Sequence, residues 1–230
     1  MSYSLKKQTI NQPTLPAKGL PKVVGLGENL HVPVYPKPGT TVSTNKRHAV
    51  FLDRDGVIIE DVHFLQESAQ IRILPGVIEA LHQLQTQYYI IVITNQSGVA
   101  RGLISEDGLL QIHTTLVQRL YADGVSVDGL YYCPHLPNAP VAAYDLECSC
   151  RKPKPGMLLQ AEKDRGIDLP GSFLVGDRPT DIKAAQAGGV TGILVGANRT
   201  EYSQKSIIAQ DLAEAATLIL STSKTSGSHI

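Results

Sequence analysis

Apolar and polar positions along the chain alternate in blocks whose period switches between that of a buried strand and that of an amphipathic helix. The run AVFL at 49–52 reads as a short strand, closed by Asp53. Val77, Leu81 and Leu84 share one face of a helix over 76–87. The run YYIIVIT at 88–94 is continuously apolar, as a strand buried on both faces requires. Ser105, with Glu106 and Asp107 behind it, caps a long amphipathic helix reaching about Ala122, and 128–132 is a further strand. A helix over 155–163 begins with proline, a strand spans 172–177, and a helix over 180–189 is closed by glycine. A strand over 190–196 and a last helix over 209–220 complete the pattern.

Strands alternating with helices predict an α/β fold of three layers, Rossmann-like, with a mostly parallel sheet. Residues 1–47 are rich in Pro, Lys, Thr and Asn and hold neither period, so an extended or disordered extension is expected there. The folded domain is expected over 48–221, with a disordered tail at 222–230. In open parallel sheets chemistry collects beyond the carboxyl ends of the strands.

Composition narrows the function classes. A length of 230 residues with 42% hydrophobic and 18% charged positions suits one medium globular domain. The formal net charge of zero gives no support to nucleic-acid or anionic-membrane binding. No apolar run is long enough to span a bilayer, and the first residues lack the apolar core of a secretory signal. A cytoplasmic location is the expectation. The neutral total hides an asymmetry: residues 1–47 carry seven Lys and Arg against Glu28 alone, leaving the remainder acidic. An anionic substrate must then be met by local positive charge.

Polar motifs do follow the apolar runs. Three are Asp53-Arg-Asp55-Gly-Val57, Thr94-Asn-Gln-Ser-Gly98-Val-Ala-Arg101 and Gly176-Asp177-Arg-Pro-Thr-Asp181; a fourth, Arg151-Lys152-Pro-Lys154-Pro-Gly156, follows the cysteine segment and precedes a helix. Each alone reads as a turn or a capped helix start. Together they gather carboxylates, a hydroxyl and a lysine at one sheet edge, a set that suits phosphoryl transfer. One carboxylate can attack phosphorus and form an aspartyl phosphate, while a second can protonate the leaving alcohol and later activate water. Clustered carboxylates facing a phosphate need a hard divalent cation, and Mg²⁺ takes oxygen ligands. All three cysteines lie in one segment, as Cys133-x-His135 and Cys148-x-Cys150, and metal binding is the expected reason.

FLDRDGV, ITNQSGVARG, RKPKPG and FLVGDRPTD resemble the four ordered motifs of the haloacid dehalogenase (HAD) superfamily of phosphatases over about residues 48–197. The resemblance implies Asp53 as nucleophile and Mg²⁺ ligand, and Asp55 as general acid and base with its carbonyl toward the metal. It implies Thr94 and Lys152 as phosphoryl holders and Asp177 as a further Mg²⁺ ligand, with Asp181 either a helix cap or a neighbour of the metal. With CPH…CSCRKPKPGM, the sequence resembles the family of heptose 1,7-bisphosphate 7-phosphatases and histidinol-phosphatases. That likeness implies a structural Zn²⁺ held by Cys133, His135, Cys148 and Cys150, and no large cap domain, in keeping with the short interval between Asp55 and Gly76. It implies substrate contacts from Asp61, His63, Asn95, Gln96, Ser97, Arg101 and Arg151, although the first loop departs from the family pattern in reading DVHF. The expected substrate is a small phosphorylated metabolite, heptose bisphosphate first and histidinol phosphate second, turned over by a monomer. A polynucleotide 3′-phosphatase lacks the basic groove it would need, and a non-catalytic scaffold conflicts with the intact motif residues.

Overall fold

A computed structural model of the chain describes residues 30–32, 47–196 and 207–225. The elements in chain order are β1 (Leu30–Val32), β2 (Ala49–Leu52), α1 (Val77–Leu84), β3 (Tyr89–Asn95), α2 (Glu106–Ala122) and β4 (Gly129–Cys133). They continue with α3 (Gly156–Arg165), β5 (Phe173–Gly176), α4 (Pro179–Gly188), β6 (Thr191–Val195), β7 (Ile207–Ala209) and α5 (Leu212–Thr225). The strands make one sheet in the order β1-β4-β3-β2-β5-β6-β7. All neighbours run parallel except β1, which lies antiparallel to β4 with Leu30 opposite Tyr132.

The two-residue alternation of the strands divides the core. Val50, Leu52, Ile90, Val92 and Val175 pack with Leu81, Leu116 and Ile219, so α1, α2 and α5 cover one face. Phe51, Ile91, Ile93 and Leu174 pack with Met157, Ala161 and Ala185, so α3 and α4 cover the other. This is the three-layer architecture that the periodicity predicts. Ser105 caps α2 by accepting from the Gly108 amide at 3.1 Å, and Gly189 closes α4 at φ 71°.

Three features differ from the pattern-based expectation. Leu30–Val32, within the segment expected to be extended or disordered, is an edge strand, and the open hydrogen-bonding edge of β4 explains its pairing. Ile207–Ala209 is a strand where the pattern already begins a helix at Ala209. Helix α5 runs to Thr225, past the expected domain end at residue 221. The rest of the expected extension, save Arg47, and the tail beyond Thr225 lie outside the described residues. Between Asp55 and α1 the only helical element is a short 3₁₀ turn at Ser68–Gln70, so no cap domain is inserted there. Among the described residues no helix is long and apolar enough to cross a membrane.

Candidate active site

Strand β2 sits where the sheet order reverses, with β3 on one side and β5 on the other, and ligands of such sheets bind beyond that point. The Asp53 amide donates to the Val175 carbonyl at 2.9 Å, which ties the first motif to β5. Gly56 turns the chain at φ 75°, and a Cβ there would lie 2.8 Å from Asp177 Cγ. The glycine therefore supplies both the left-handed turn and the space that Asp177 occupies. Asp53, Asp177 and Asp181 each bring a carboxylate oxygen within 4.8 Å of the others.

Lys152 fills the centre of this acidic group. It is 3% exposed. Its Nζ lies 2.9 Å from Asp53 Oδ2 and 2.6 Å from Asp181 Oδ1, and donates to the Ile93 carbonyl at 3.0 Å. Burial pulls the lysine toward its neutral form, but the attraction of Asp53 and Asp181 prevails and raises its pKa above the ordinary value. Burial also pushes Asp53 up, against the pull of Lys152. Asp177 is pushed up to about 6 by burial and by the charges of Asp53 and Asp181. Its buried Oδ1 accepts no hydrogen bond, with only Arg178 Nε at 3.8 Å. A largely buried set of carboxylates with an unsatisfied buried oxygen fits a hard, oxygen-seeking cation such as Mg²⁺.

Asp181 caps a helix and also faces the acidic group. Its Oδ2 accepts from the Arg178 amide at 3.0 Å and caps α4, while Oδ1 faces Lys152. A Cβ on Gly176 would collide with it, so the glycine makes room for this approach.

Asn95 and Gln96, both expected at the substrate, have their amides engaged by the protein. Asn95 Nδ2 donates to the Lys152 carbonyl and Asn95 Oδ1 accepts the Lys152 amide, each at 3.0 Å. That reciprocal pair docks the lysine-bearing loop on the end of β3. Gln96 Nε2 donates to Thr94 Oγ1 at 2.8 Å and to Asp55 Oδ2 at 2.9 Å. Gln96 Oε1 in turn accepts from Arg54 Nη2 at 3.0 Å. Arg54, absent from the sequence-derived set, forms a 2.9 Å ion pair with Asp55 and reaches His113 Nε2 with its Nη1, also at 2.9 Å. Both are buried. The signal for them was faint: an arginine between two motif acids, and a histidine in the apolar stripe of α2.

The remaining expected contacts stand at the rim. Asp61 Oδ1 accepts the His63 amide at 2.8 Å, and Asp61 Oδ2 pairs with exposed Arg178 at 2.6 Å, joining the loops after β2 and β5. His63 is held at φ 67°. The Arg101 guanidinium lies over the Phe64 ring, 5.8 Å from its centroid, joining the loops after β2 and β3. The Ser97 carbonyl accepts the Arg101 amide at 3.0 Å. Arg151 Nη1 donates to the His135 carbonyl at 3.2 Å.

That last contact leads to the cysteine segment. Cys133 ends β4 beside Asn95, and Cys133, His135, Cys148 and Cys150 place one donor atom each within 4.8 Å of one another. Cys133 Sγ lies 3.5 Å from Cys148 Sγ, Cys150 Sγ lies 3.2 Å from Cys148 Sγ, and His135 Nδ1 lies 3.4 Å from Cys150 Sγ. These separations exceed the ~2.05 Å of a disulfide and approach the edge of a tetrahedron around an ion with ~2.3 Å bonds to sulfur. The hydrogen bond from Cys150 draws the Cys133 thiol down to about 6, and Cys150 is pushed up correspondingly. Three thiol groups and an imidazole are a donor set that fits Zn²⁺. Gly156 brings α3 against this segment: its amide donates to the Ser149 carbonyl at 3.0 Å, and a Cβ would lie 2.9 Å from Cys150 Cα.

The reversing parallel sheet, the capless loop after β2, the three motifs at strand ends and the lysine loop docked on β3 define a haloacid dehalogenase-like phosphatase. A HAD-hydrolase-like family model matches residues 149–217. A D-glycero-beta-D-manno-heptose-1,7-bisphosphate 7-phosphatase of Rhodopseudomonas palustris is 41% identical over 153 residues, 66% of this chain and 85% of that protein. The enzyme of the same name from Pasteurella multocida is 47% identical over 141 residues, 61% of this chain and 76% of that protein. Among solved structures, a putative HAD-like phosphatase from Mesorhizobium loti superposes with a TM-score of 0.77 at 27% identity, covering 91% of this chain and 99% of that one. The D,D-heptose 1,7-bisphosphate phosphatase of B. bronchiseptica, complexed with magnesium and phosphate, gives a TM-score of 0.66 at 32% identity, covering 76% of this chain and 99% of that one. The chain belongs to the heptose bisphosphate phosphatase family of HAD-like hydrolases and is a phosphoric monoester hydrolase.

Proposed function

We propose that the chain removes the 7-phosphate of D-glycero-β-D-manno-heptose 1,7-bisphosphate through an aspartyl phosphate on Asp53. The observation that carries this reading is the arrangement of buried Asp53, Lys152 and Asp181 with half-buried Asp177, and with Asp55 and Thr94 joined by Gln96. In the first half-reaction an Asp53 oxygen attacks phosphorus, the bond from phosphorus to the sugar oxygen breaks, and Asp55 gives that oxygen a proton. In the second, Asp55 takes a proton from water, the water oxygen attacks phosphorus, and the bond to Asp53 breaks to release phosphate. Lys152 and the Thr94 hydroxyl hold the phosphoryl oxygens throughout. The Asp53 and Asp177 carboxylates, with the Asp55 carbonyl, would hold Mg²⁺, which would neutralise charge on the incoming phosphate. Arg101 and Arg151, on the loops after β3 and β4, are suited to a second phosphate because a guanidinium pairs with one through two parallel hydrogen bonds. A monomer is sufficient, since one chain holds every group named.

The reading is tested by comparing kcat/KM for heptose 1,7-bisphosphate, histidinol phosphate and a generic sugar monophosphate, with ³¹P NMR of the products. The expected result is preference for the bisphosphate by at least about 10-fold, a difference of ~1.4 kcal/mol, and heptose 1-phosphate as product. Equal values for the three substrates would remove the substrate assignment.

Asp177 gives a pH dependence. A carboxyl raised to about 6 in the folded protein favours the folded state while protonated and loses that contribution as pH rises through the folded value. The metal-free protein therefore holds an unfavourable carboxylate above pH ~6, and Mg²⁺ neutralises it. Addition of Mg²⁺ is expected to raise Tm more at pH 8 than at pH 5; equal shifts at both would contradict the assignment of Asp177 to the cation.

The cysteine cluster is assigned to structural zinc, with one ion per chain by metal analysis. Because Arg151 donates to His135 and Lys152 follows Cys150 closely, its role is to aim these two cations. Chelation that removes the zinc is expected to raise KM about 10-fold or more while the sheet stays folded. Unchanged kinetics in protein shown to be zinc-free would contradict this.

A further inference from the structure

Arg54 takes no part in the reaction as written above, yet its guanidinium is the most extensively engaged group near Asp55. It is 1% exposed. Nε and Nη2 donate to Asp55 Oδ1 at 3.1 and 3.0 Å, and Nη2 also donates to Asp55 Oδ2 at 2.9 Å. Its other arm, Nη1, lies 2.9 Å from Nε2 of His113, which is fully buried on α2. Burial and the positive charge of Arg54 hold His113 well below its ordinary pKa, so the ring is neutral and Nε2 accepts. Nδ1 then carries the proton, and it has no hydrogen-bond partner.

This pair is a poor choice for stability alone. A buried donor left without a partner destabilises the fold. Replacing a buried charged pair by apolar groups of similar volume is often neutral or stabilising. The arrangement does secure geometry. A guanidinium has a planar, fixed fork, and anchoring one arm on a helix side chain leaves the other arm a single orientation. Gln96, at the carboxyl end of the neighbouring strand β3, completes the enclosure by holding both Asp55 and the Arg54 guanidinium. Asp55 is thereby fixed by α2 and β3 as well as by its own loop.

We propose that Arg54, anchored by His113, is a positioning residue that sets the Asp55 carboxyl at the oxygen of the departing sugar. The proposal rests on the assignment of Asp55 as the acid and base of the reaction. Precise placement matters most when the leaving group is a poor one, because an alkoxide must be protonated as it departs whereas a 4-nitrophenolate need not be. A displacement of about 1 Å can cost on the order of 100-fold in rate.

The experiment compares kcat/KM, which reports the first half-reaction, for the sugar phosphate and for 4-nitrophenyl phosphate in Arg54→Met, His113→Leu and His113→Gln. His113→Leu removes only the anchor and keeps an apolar side chain on a buried helix face, so it remains informative if Arg54→Met fails to fold. The expected loss on the sugar phosphate is about 100-fold for Arg54→Met and about 10-fold for His113→Leu, with less than ~3-fold on the aryl phosphate. His113→Gln, whose amide oxygen can accept from Arg54, is expected to recover most of the loss. Equal losses on both substrates, or no loss on either, would overturn the positioning role. Asp55→Asn, run alongside, separates the two claims. It should show the same selectivity for the poor leaving group. If it does not, the acid assignment falls and the positioning role with it; if it does while Arg54→Met and His113→Leu show none, only the positioning role falls.

Discussion

Asp53→Asn is expected to lower kcat by about 10⁴-fold or more, the scale seen when a nucleophile is removed from a preorganised site. The substitution changes little in shape. The amide oxygen can still accept from the Arg54 main chain, as Asp53 Oδ1 does at 2.7 Å. What is lost is the anionic oxygen able to form a bond to phosphorus. The new NH₂ also faces the Lys152 ammonium, where Asp53 Oδ2 now sits at 2.9 Å. One negative charge leaves the cation cluster as well, so Mg²⁺ binding should weaken. Phosphate release and circular dichroism on the same preparation check this, and a folded variant with full activity would refute the role of Asp53.

Lys152→Met is expected to damage activity and stability together. The lysine separates Asp53 from Asp181, and both carboxylates depend on it. Removing one partner of a buried ionic cluster leaves uncompensated charge, at a cost of about 3–5 kcal/mol. In a chain of this size that lowers Tm by roughly 6–20 °C. Mg²⁺ should recover part of the stability, since it also neutralises the carboxylates, but not the rate, which needs the ammonium on the transferring phosphoryl group. Thermal unfolding with and without Mg²⁺ checks the first statement and steady-state kinetics the second. A Tm within 2 °C of the parent, roughly 1 kcal/mol or less, would mean that the cluster is not held as described.

Much of this architecture was legible in the sequence, because its signals are local. Most strands of the parallel core read as apolar runs, and three of the four motifs begin where a run ends, so AVFL followed by Asp53 announces both strand and site. The cysteine pairs were equally plain, since all three cysteines and a histidine crowd one segment. What escaped depends on contacts distant in sequence. Strands β1 and β7 have three residues each, too short to carry a period, and exist because a neighbouring strand offers an edge. Arg54 and His113 meet only because the loop after β2 reaches α2, and a histidine between Leu109 and Leu116 reads as core. The direction of the Asn95 amide was hidden for the same reason. It is set by the alignment of Asn95 with Cys133, which brings the Lys152 main chain alongside.

The most direct test is to find the phosphoryl group itself. Asp55→Asn mixed with Mg²⁺ and 4-nitrophenyl phosphate, quenched in acid within the first turnover and digested, is expected to carry phosphate on the peptide containing Asp53, because departure of nitrophenolate needs little acid assistance whereas hydrolysis of the intermediate needs the base. A burst of nitrophenol should accompany it. Phosphate on another residue, or turnover with no phosphorylated peptide at any quench time, would contradict nucleophilic attack by Asp53.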